Sequence, residues 1–374
     1  MRFFLSLLFI LFPLLTAAQA SSAPVAPPSR GIRAVWLCTY SGLDWPGRHY
    51  ARTEAEARDQ RARLSRIFDG LQAAGINTVL FQTRLRATVA YPSQIEPWDG
   101  AFSGTPGVAP PYDVLRFAID EAHRRGMELH AYLVAFPANT LPDAKRLGRQ
   151  ALPARHPKLC TRAGDKWHLD PGVPGTAEYL AEIVREIVSN YDVDGIHLDY
   201  MRYPEKAKIF DDAATYKQYG GNMDPAAWRR RNLSDLMADV HRAATEKTPW
   251  VQVSVATIGR LRKLAGKRGG DWTAYEGVHQ DPVVWAQEGS VDFLVPMLYY
   301  RDDLFYPFLE DWKAQLPDLP IIPGLATYRV VDNSQWPAQV IGEQIDSARH
   351  MGFPGVCLFR EDQLRHESNG IPQI

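Results

Sequence analysis

Short apolar segments alternate with longer amphipathic segments along most of the chain. The apolar segments span five to nine residues and are rich in β-branched and aromatic side chains, a pattern typical of buried strands. They predict eight strands, at residues 31–39, 77–84, 128–134, 195–199, 250–257, 291–297, 320–327 and 355–359. The amphipathic segments predict seven helices, at residues 53–74, 112–125, 176–189, 225–245, 281–287, 305–315 and 338–351.

This alternation of strands and helices predicts the fold class. Parallel strands that are connected by helices form either an open doubly wound sheet or a closed barrel. The segments at 85–110 and 135–175, after the second and third strands, are long, as expected for the functional loops of a barrel. No GxGxxG motif follows the first strand, which argues against a dinucleotide-binding sheet. We therefore predict an α/β protein, a (β/α)8 TIM barrel with long βα loops, at residues 31–374.

The first thirty residues have a different composition. A basic start, an apolar run from Phe3 to Leu15 and the sequence Ala18-Gln19-Ala20 predict a secretory signal peptide at residues 1–20. Residues 21–30 are rich in Pro, Ala and Ser, which predicts a flexible leader. The apolar run is short for a membrane span. We expect a secreted, monomeric protein of the bacterial periplasm that has no membrane contact after signal cleavage.

Charge and aromatic content narrow the classes of partner. The chain has 42 basic and 43 acidic residues, so we do not expect it to bind nucleic acid. Its 10 Trp and 16 Tyr residues are compatible both with a large core and with platforms for sugar rings. A basic, glycine-rich stretch at 259–270 favours a solvated loop over a phosphate site, because it lacks the strand, glycine loop and helix order of such sites.

The three cysteines, Cys38, Cys160 and Cys357, are too few and too widely spaced for a disulfide framework. Cys38 and Cys357 fall in the first and last strands, which are neighbours in a closed barrel, so buried thiols or one bridge between them are the two alternatives. The sequence contains no CxxC or HExxH motif. We therefore predict neither a zinc site nor a cofactor.

The run YDVDGIHLDYMRYP, at residues 191–204, carries the strongest chemical signal. In a strand, Gly195, His197 and Asp199 share one face, and Asp199 stands at the carboxyl end, where TIM barrels build their active sites. The alternative is structural: Asp199 would cap the next segment and His197 would be a hydrogen-bonded core residue. The aromatic and basic residues that follow favour the functional interpretation.

Other polar and aromatic residues at predicted strand ends resemble the parts of a glycosidase, which needs two carboxyl groups beside the bond that it cleaves. Asp199 is the candidate for the ionised group, with Arg84 expected beside it. Its partner is open among Glu96, Asp44 and Glu361, and we take Glu96 and Glu361 as the catalytic candidates. The predicted substrate-binding residues are Asp44, Trp45, Gln82, Arg84, Trp98, His130, Tyr132, His197, Arg202, Tyr203 and Tyr299.

Five segments carry a resemblance to a known family: GIRAVWLCTYSGLDWP, GINTVLFQTR, YPSQIEPW, EAHRRGMELHAY and VDGIHLDYMRYPE. They resemble the glycosyl hydrolase-like 10 family, whose members are secreted bacterial barrels. The resemblance implies a polysaccharide hydrolase, and some relatives are similar to enzymes that cut peptidoglycan glycan strands without peptides. It also implies that Asp199 lies in the active site, with Arg84, His130 and His197 around it. Many relatives have Asp-Asp-Tyr where this chain has Asp199-Tyr200.

The first hypothesis is therefore a secreted glycoside hydrolase that cleaves a polysaccharide, with peptidoglycan glycan strands as one substrate. A second hypothesis is a carbohydrate-binding barrel without catalysis. A third is a metal-dependent hydrolase or deacetylase, because His130, His197 and Asp199 could form a set of two histidines and one carboxylate on neighbouring strands.

Overall fold

The barrel strands lie where the apolar segments predict them. The computed structural model describes residues 31–204, 210–332 and 336–365. The predicted signal peptide at 1–20 and the leader at 21–30 lie outside the described residues. The eight barrel strands are β1 (Ile32–Leu37), β2 (Thr78–Leu85), β3 (Glu128–Val134), β4 (Gly195–Asp199), β5 (Gln252–Ile258), β6 (Phe293–Met297), β7 (Gly324–Leu325) and β8 (Gly355–Leu358).

The sheet closes on itself because β1 pairs with both β2 and β8. On one side, Ala34 lies opposite Thr78, and on the other side Val35 lies opposite Leu358. Each barrel strand runs parallel to both of its neighbours, in the order β1, β2, β3, β4, β5, β6, β7, β8. The predicted α/β barrel is thus confirmed.

All seven predicted helices are present, one after each of the first seven strands. These helices are α1 (Glu54–Ala73), α2 (Val114–Arg124), α3 (Thr176–Asn190), α4 (Pro225–Thr245), α5 (Pro282–Gln287), α6 (Tyr306–Gln315) and α7 (Gln339–His350). The start of α1 is a capping box: the backbone N–H of Glu56 donates to the Thr53 hydroxyl at 3.3 Å, and the Thr53 N–H donates to the Glu56 carboxylate at 3.0 Å. A 3₁₀ turn, Glu361–Arg365, follows β8.

The main difference from prediction is the length of β7. The sequence pattern predicts a strand at 320–327, whereas only Gly324–Leu325 forms ladder pairs. Pro320 and Pro323 have no backbone N–H and cannot donate to a neighbouring strand. The Ile322 N–H still donates to the Leu294 carbonyl at 2.8 Å, so the segment follows the path of a strand with few of its hydrogen bonds.

Alternate residues of the strands fill the barrel interior. An apolar cluster contains Ala34, Trp36, Cys38, Leu80, Tyr132, Val134, Ala256, Phe293, Val295, Ile322 and Cys357. His130 and His197 lie among these residues, with the ring of His130 5.8 Å from that of Phe293 and the ring of His197 5.5 Å from that of Tyr132. Gly195 leaves the space for His130, because a Cβ there would come 2.3 Å from the Nδ1 atom of His130.

Long loops cover the carboxyl ends of the strands. The loop after β2 contains a short strand, Thr88–Val89, and a helical turn, Gly100–Ser103. The loop after β3 contains a three-stranded antiparallel sheet, Pro137–Thr140, Cys160–Ala163 and Lys166–Leu169, with helices Leu141–Leu147 and Leu152–Arg155. Further helices, Ala213–Tyr219 and Tyr275–Val278, follow β4 and β5. These loops build the walls around the mouth of the barrel.

The cysteines are free thiols, and Cys38 and Cys357 are buried in the barrel interior. Burial raises the pKa of both buried thiols well above the ordinary value. Of the two sequence alternatives, buried thiols are observed. Among the described residues, no helix has both the length and the apolar character needed to cross a membrane.

Candidate active site

A cavity of about 310 Å³ opens at the carboxyl ends of the barrel strands. We call it the barrel-mouth cavity. Six of the eight strands contribute a side chain to it, together with the segments after β1, β2, β3, β4, β6 and β8. It is lined by Trp36, Cys38, Tyr40, Leu43, Gln82, Leu85, Arg86, Tyr132, Val134, Pro137, Lys166, Asp199, Tyr200, Arg202, Ala256, Met297, Tyr299 and Phe359.

Asp199 is the only acidic residue that lines this cavity in the described parts of the chain. It is the last residue of β4, and its residue surface is 8% exposed. Its Oδ2 atom accepts a hydrogen bond from the Tyr132 hydroxyl at 2.9 Å, and its Oδ1 atom accepts one from the Tyr200 N–H at 2.6 Å. The Nη1 atom of Arg202 lies 3.5 Å from Oδ1. Three groups that donate hydrogen bonds or carry positive charge thus stabilise the carboxylate.

Tyr132 reaches Asp199 from the neighbouring strand. Tyr132 is buried, and burial together with the charge of Asp199 raises its pKa well above the ordinary value of 10.0. Its hydroxyl therefore stays protonated and donates to the carboxylate. The parallel register that places Val134 opposite Asp199 also places Tyr132 opposite His197, one layer further into the barrel.

His197 is a buried residue of the barrel interior. Its Nε2 atom accepts a hydrogen bond from Trp36 Nε1 at 3.1 Å, and its Nδ1 atom lies 2.9 Å from the Ser254 hydroxyl. Because an indole N–H can only donate, Nε2 carries the lone pair and Nδ1 carries the proton. Burial lowers the pKa of His197 to about 3, so the ring is neutral. His197 therefore holds Trp36, which lines the barrel-mouth cavity, and does not line it itself.

The prediction that Arg84 lies beside Asp199 is wrong. Arg84 forms a buried two-pronged ion pair with Glu96, with Nε at 2.8 Å from Oε2 and Nη2 at 2.7 Å from Oε1. Both side chains are fully buried, and the Tyr179 hydroxyl donates to Glu96 at 2.7 Å. The guanidinium also donates to backbone carbonyls of β3 and the residue after it, including Ala135 at 2.9 Å. This pair joins the β2 loop to β3, and the arginine beside Asp199 is Arg202.

Glu96, Glu361 and Asp44 do not line the barrel-mouth cavity. Glu361 is buried in the turn after β8, with Oε1 2.9 Å from Nε of Arg365, and burial raises its pKa to about 8. Asp44 pairs with Arg360 and accepts a hydrogen bond from the Cys38 N–H at 2.6 Å. None of these three carboxyl groups, which the sequence predicts as possible catalytic partners of Asp199, lies in the cavity with it.

Two of the aromatic residues predicted to bind substrate, Trp45 and Trp98, also lie outside the lining of the barrel-mouth cavity. Trp45 packs between Phe81 and Phe102, and its Nε1 donates to the Gln60 carbonyl at 3.1 Å. Trp98 also packs against Phe102. These two tryptophans hold the loops after β1 and β2 together and lie outside the lining of the cavity.

Tyr203 and His130 also lie away from the cavity lining. The Tyr203 hydroxyl accepts a hydrogen bond from Asn232 at 3.0 Å, and its ring packs against His279. His130 lies deeper in the barrel, with Nε2 3.5 Å from the Glu128 carboxylate at the amino end of β3. Of the predicted substrate-binding residues, the cavity brings together Gln82, Tyr132, Arg202 and Tyr299.

The cavity also contains residues that sequence reasoning did not select. Tyr200 has a positive φ of 54°, is 42% exposed, and has the Arg202 guanidinium 4.1 Å from its ring centroid. Tyr40 is exposed in the loop after β1, and the Arg86 guanidinium lies 4.5 Å from its ring centroid. The sequence feature that could have identified Tyr200 as a cavity residue is its position directly after Asp199. The signal for Trp36 was the alternation of β1, which points it to the interior.

The alternative ligand set of His130, His197 and Asp199, on which the metal-dependent hypothesis rests, is not assembled. Both ring nitrogens of His197 lie within hydrogen-bond distance of protein partners, and His130 lies near the opposite end of the barrel from Asp199. Within residues 31–204, 210–332 and 336–365, no cluster of three or more His, Cys, Asp or Glu side chains is placed to hold a metal ion.

The chain matches known sequences over most of its length. The family model described as Glycosyl hydrolase-like 10 matches residues 31–335. The glycosyl hydrolase DigH of Escherichia coli (strain K12) is 32% identical over 381 residues, which cover 93% of this chain and 87% of that protein. The glycosyl hydrolase YngK of Bacillus subtilis (strain 168) is 28% identical over 350 residues, which cover 89% of this chain and 67% of that protein.

Solved structures share the fold. The glycoside hydrolase domain of PgaB (BpsB) from Bordetella bronchiseptica superposes with a TM-score of 0.62 at 14% identity, covering 90% of this chain and 96% of that one. The catalytic domain of β-amylase from Paenibacillus polymyxa superposes with a TM-score of 0.56 at 10% identity, covering 89% and 92%. At these identities the likeness concerns the TIM-barrel architecture.

Proposed function

Because the chain belongs to the glycosyl hydrolase-like 10 family, we propose that it is a glycoside hydrolase that cleaves a polysaccharide, with Asp199 as a catalytic carboxylate. The observation that carries this proposal is the position of Asp199. It is the one acidic side chain among the described residues that line the barrel-mouth cavity, at the end of the barrel where TIM-barrel enzymes hold their active sites.

The surroundings of Asp199 suit a charged role. Tyr132, Arg202 and the backbone N–H of Tyr200 stabilise its negative charge. A carboxylate in this setting can attack the anomeric carbon, activate a water molecule, or stabilise the positive charge that develops on the sugar ring in the transition state. The aromatic rings of Tyr200, Tyr299 and Trp36 offer apolar faces of the kind that ligand sites use beside a few polar groups.

We propose glycan strands of peptidoglycan, freed of their peptides, as the substrate. The resemblance of the quoted motifs to the family supports this choice. Glycoside hydrolysis usually uses two carboxyl groups, but an N-acetylated sugar can supply its own acetamido group in place of the nucleophile. Asp199 would then stabilise the positive charge that develops as the acetamido oxygen bonds to the anomeric carbon and the glycosidic C–O bond breaks. The departing oxygen would take its proton from water, because no other described residue that lines the cavity carries a carboxyl group.

A periplasmic location belongs to the same proposal. The basic start, the apolar run from Phe3 to Leu15 and the small residues at 18 and 20 support export from the cytoplasm. Expression of the full chain, followed by cell fractionation and mass determination of the processed N-terminus, tests it. A protein that stays unprocessed in the cytoplasm would refute the location and leave the chemistry to be tested separately.

The test of the proposed reaction uses purified protein and peptide-free glycan strands. Wild type is expected to release reducing ends, and Asp199→Asn is expected to remove this release while the thermal unfolding profile stays the same. The matched control is Asp192→Asn, an exposed aspartate in the segment that leads into β4, which should keep full activity. Turnover by purified Asp199→Asn at the wild-type rate would refute the assigned role.

The same experiment separates the two other functions that the sequence allows. Binding of glycan without any product over a long incubation would indicate a carbohydrate-binding barrel. Activity that is lost in chelator and restored by one divalent metal would indicate a metal-dependent enzyme. Release of reducing ends that is insensitive to chelator is the result expected from the proposed mechanism.

A further inference from the structure

A second cavity lies on the same face of the barrel. Its volume is about 280 Å³, and loops after β1, β2 and β3 form its walls. We call it the loop cavity, and Tyr50, Asp99, Asn139, Asp143 and Arg146 are among its lining residues. Since each of these loops follows the carboxyl end of its strand, the loop cavity opens on the side that carries Asp199.

The loop cavity and the barrel-mouth cavity share a wall. Tyr40, Leu85 and Arg86 line both cavities. The Arg86 guanidinium lies 4.5 Å from the ring centroid of Tyr40, so the two side chains form one cation–π pair at the boundary. A chain that leaves the barrel-mouth cavity across this pair enters the loop cavity directly.

The boundary is held by specific contacts. The Asn139 side chain donates to the Arg86 carbonyl at 2.8 Å and accepts from the Leu152 N–H at 2.9 Å, which ties the end of β2 to the loop after β3. Arg86 and Ala87 have positive φ angles of 52° and 61°. These two residues form the tight turn between β2 and the strand Thr88–Val89, in which Leu85 pairs with Thr88, and a type I′ hairpin turn requires a positive φ at both central positions.

The lining of the loop cavity suits sugar hydroxyl groups. Asp143 provides acceptors, and Arg146 provides donors 3.5 Å from its carboxylate. Tyr50 adds an aromatic ring, with the Arg52 guanidinium 5.2 Å from its centroid. A mixture of donors, acceptors and one aromatic ring, with more polar than apolar surface, matches a polar ligand with many hydroxyl groups better than an apolar one.

We propose that the barrel-mouth cavity and the loop cavity form one groove, and that the loop cavity binds sugar units of the glycan beyond the unit that contacts Asp199. This inference rests on the proposed function and extends it. The enzyme would act on chains, with the Arg86–Tyr40 pair supporting the glycan between the two cavities, and it would cleave long chains more efficiently than short ones.

The experiment compares peptide-free glycan strands separated by length into disaccharide, tetrasaccharide and octasaccharide fractions. For wild type, kcat/KM is expected to rise with length. Arg146→Ala and Tyr50→Ala are each expected to lower kcat/KM for the octasaccharide by about 3- to 10-fold, the range of one lost hydrogen bond or ring contact. This decrease in kcat/KM is expected to come from a higher KM. The matched control is Arg149→Ala, an exposed arginine on the same loop that lines neither cavity.

A binding measurement keeps the test valid whether or not the strands are hydrolysed. Calorimetric titration of Asp199→Asn protein with the octasaccharide is expected to give an affinity that Arg146→Ala weakens and Arg149→Ala does not. If wild type cleaves all lengths equally and Arg146→Ala matches Arg149→Ala in both assays, the groove is refuted and the hydrolase stands. If wild type cleaves nothing but Arg146→Ala weakens octasaccharide binding, the groove stands and the hydrolase is refuted. Absence of both cleavage and binding refutes the groove.

Discussion

The hydroxyl group of Tyr132 lies 2.9 Å from the Oδ2 atom of Asp199 and donates a hydrogen bond to it at the mouth of the barrel. Asp199 ends its strand and Tyr132 lies two residues before the end of the neighbouring parallel strand, so the bond depends on the register that places Val134 opposite Asp199. Buried hydrogen bonds to charged groups are stronger than neutral ones, and this one fixes the orientation of the proposed catalytic carboxylate.

Loss of this bond is expected to slow the reaction. Tyr132→Phe keeps the ring and removes the donor, so kcat on peptide-free glycan strands should fall about 10- to 100-fold with little change in KM, as expected for a lost hydrogen bond to a charged group. Tyr191→Phe is the control, because the Tyr191 hydroxyl also donates to an aspartate, Asp113 at 2.8 Å, outside the cavity lining. Equal kcat values for the two variants would contradict the assigned role.

The buried ion pair of Arg84 and Glu96 should act on stability. Glu96→Gln leaves the guanidinium without its charged partner in a fully buried site, so the free energy of unfolding should fall by about 3–5 kcal/mol. Urea titration measures this change. Glu178→Gln breaks an exposed pair with Arg185 and should change stability far less. If folded Glu96→Gln protein lost kcat as completely as Asp199→Asn at unchanged stability, Glu96 would be catalytic after all.

Glu361 predicts a pH dependence of stability. Burial raises the pKa of Glu361 from 4.5 to about 8 in the folded chain, although Arg365 opposes the shift. Between these two pH values the folded state binds more protons than the unfolded state, so the contribution of Glu361 to stability is present below pH 4.5 and is lost as the pH rises toward about 8. The slope is up to about 1.4 kcal/mol per pH unit.

Glu361→Gln removes this titration, so urea titrations from pH 5 to pH 9 should show a smaller loss of stability for the variant than for wild type. The variant should be the more stable protein at the alkaline end. Glu310→Gln, an exposed residue of α6, should follow the wild-type curve. Parallel curves for wild type and Glu361→Gln would show that the carboxyl group titrates as it does in the unfolded chain.

Tyr200 should contribute to binding of the glycan. Tyr200→Ala removes an aromatic face from the rim of the barrel-mouth cavity, and KM should rise on the order of 10-fold, the equivalent of about 1.4 kcal/mol. Tyr219→Ala, which removes a ring of nearly equal exposure (44% against 42%) outside this cavity, is the control. A KM that stays at the wild-type value in Tyr200→Ala would argue against stacking at this position.

Local pattern was enough to predict the barrel and the position of Asp199 at the carboxyl end of β4. The eight apolar segments and the amphipathic stretches between them follow from neighbours in the chain, and the period of two in β4 places His197 and Asp199 on the interior face. The short β7 shows where this reasoning weakens. Its apolar composition predicts a full strand, and the missing N–H groups of Pro320 and Pro323 remove most of the ladder.

The sequence could not show which charged residues form ion pairs or hydrogen bonds with one another. Arg84 and Glu96 both belong to segments that resemble the glycosyl hydrolase-like 10 family, yet they pair with each other. Asp199 contacts Tyr132 and Arg202 instead. Partners of this kind come from different strands and loops, so their choice depends on register and loop path, which leave no periodic signal in the chain.

The amino-acid sequence by itself therefore determined the alternation of strands and helices, the closed parallel barrel that it implies, and the position of Asp199 at a carboxyl strand end. Only the tertiary structure decided that Glu96 and Asp44 pair with arginines, that Glu361 is buried in the turn after β8, and that Tyr40 and Arg86 lie between two adjoining cavities. The physical reason is range: periodic burial acts between near neighbours in the chain, whereas charge pairing and cavity shape arise from residues that meet only after the barrel has closed.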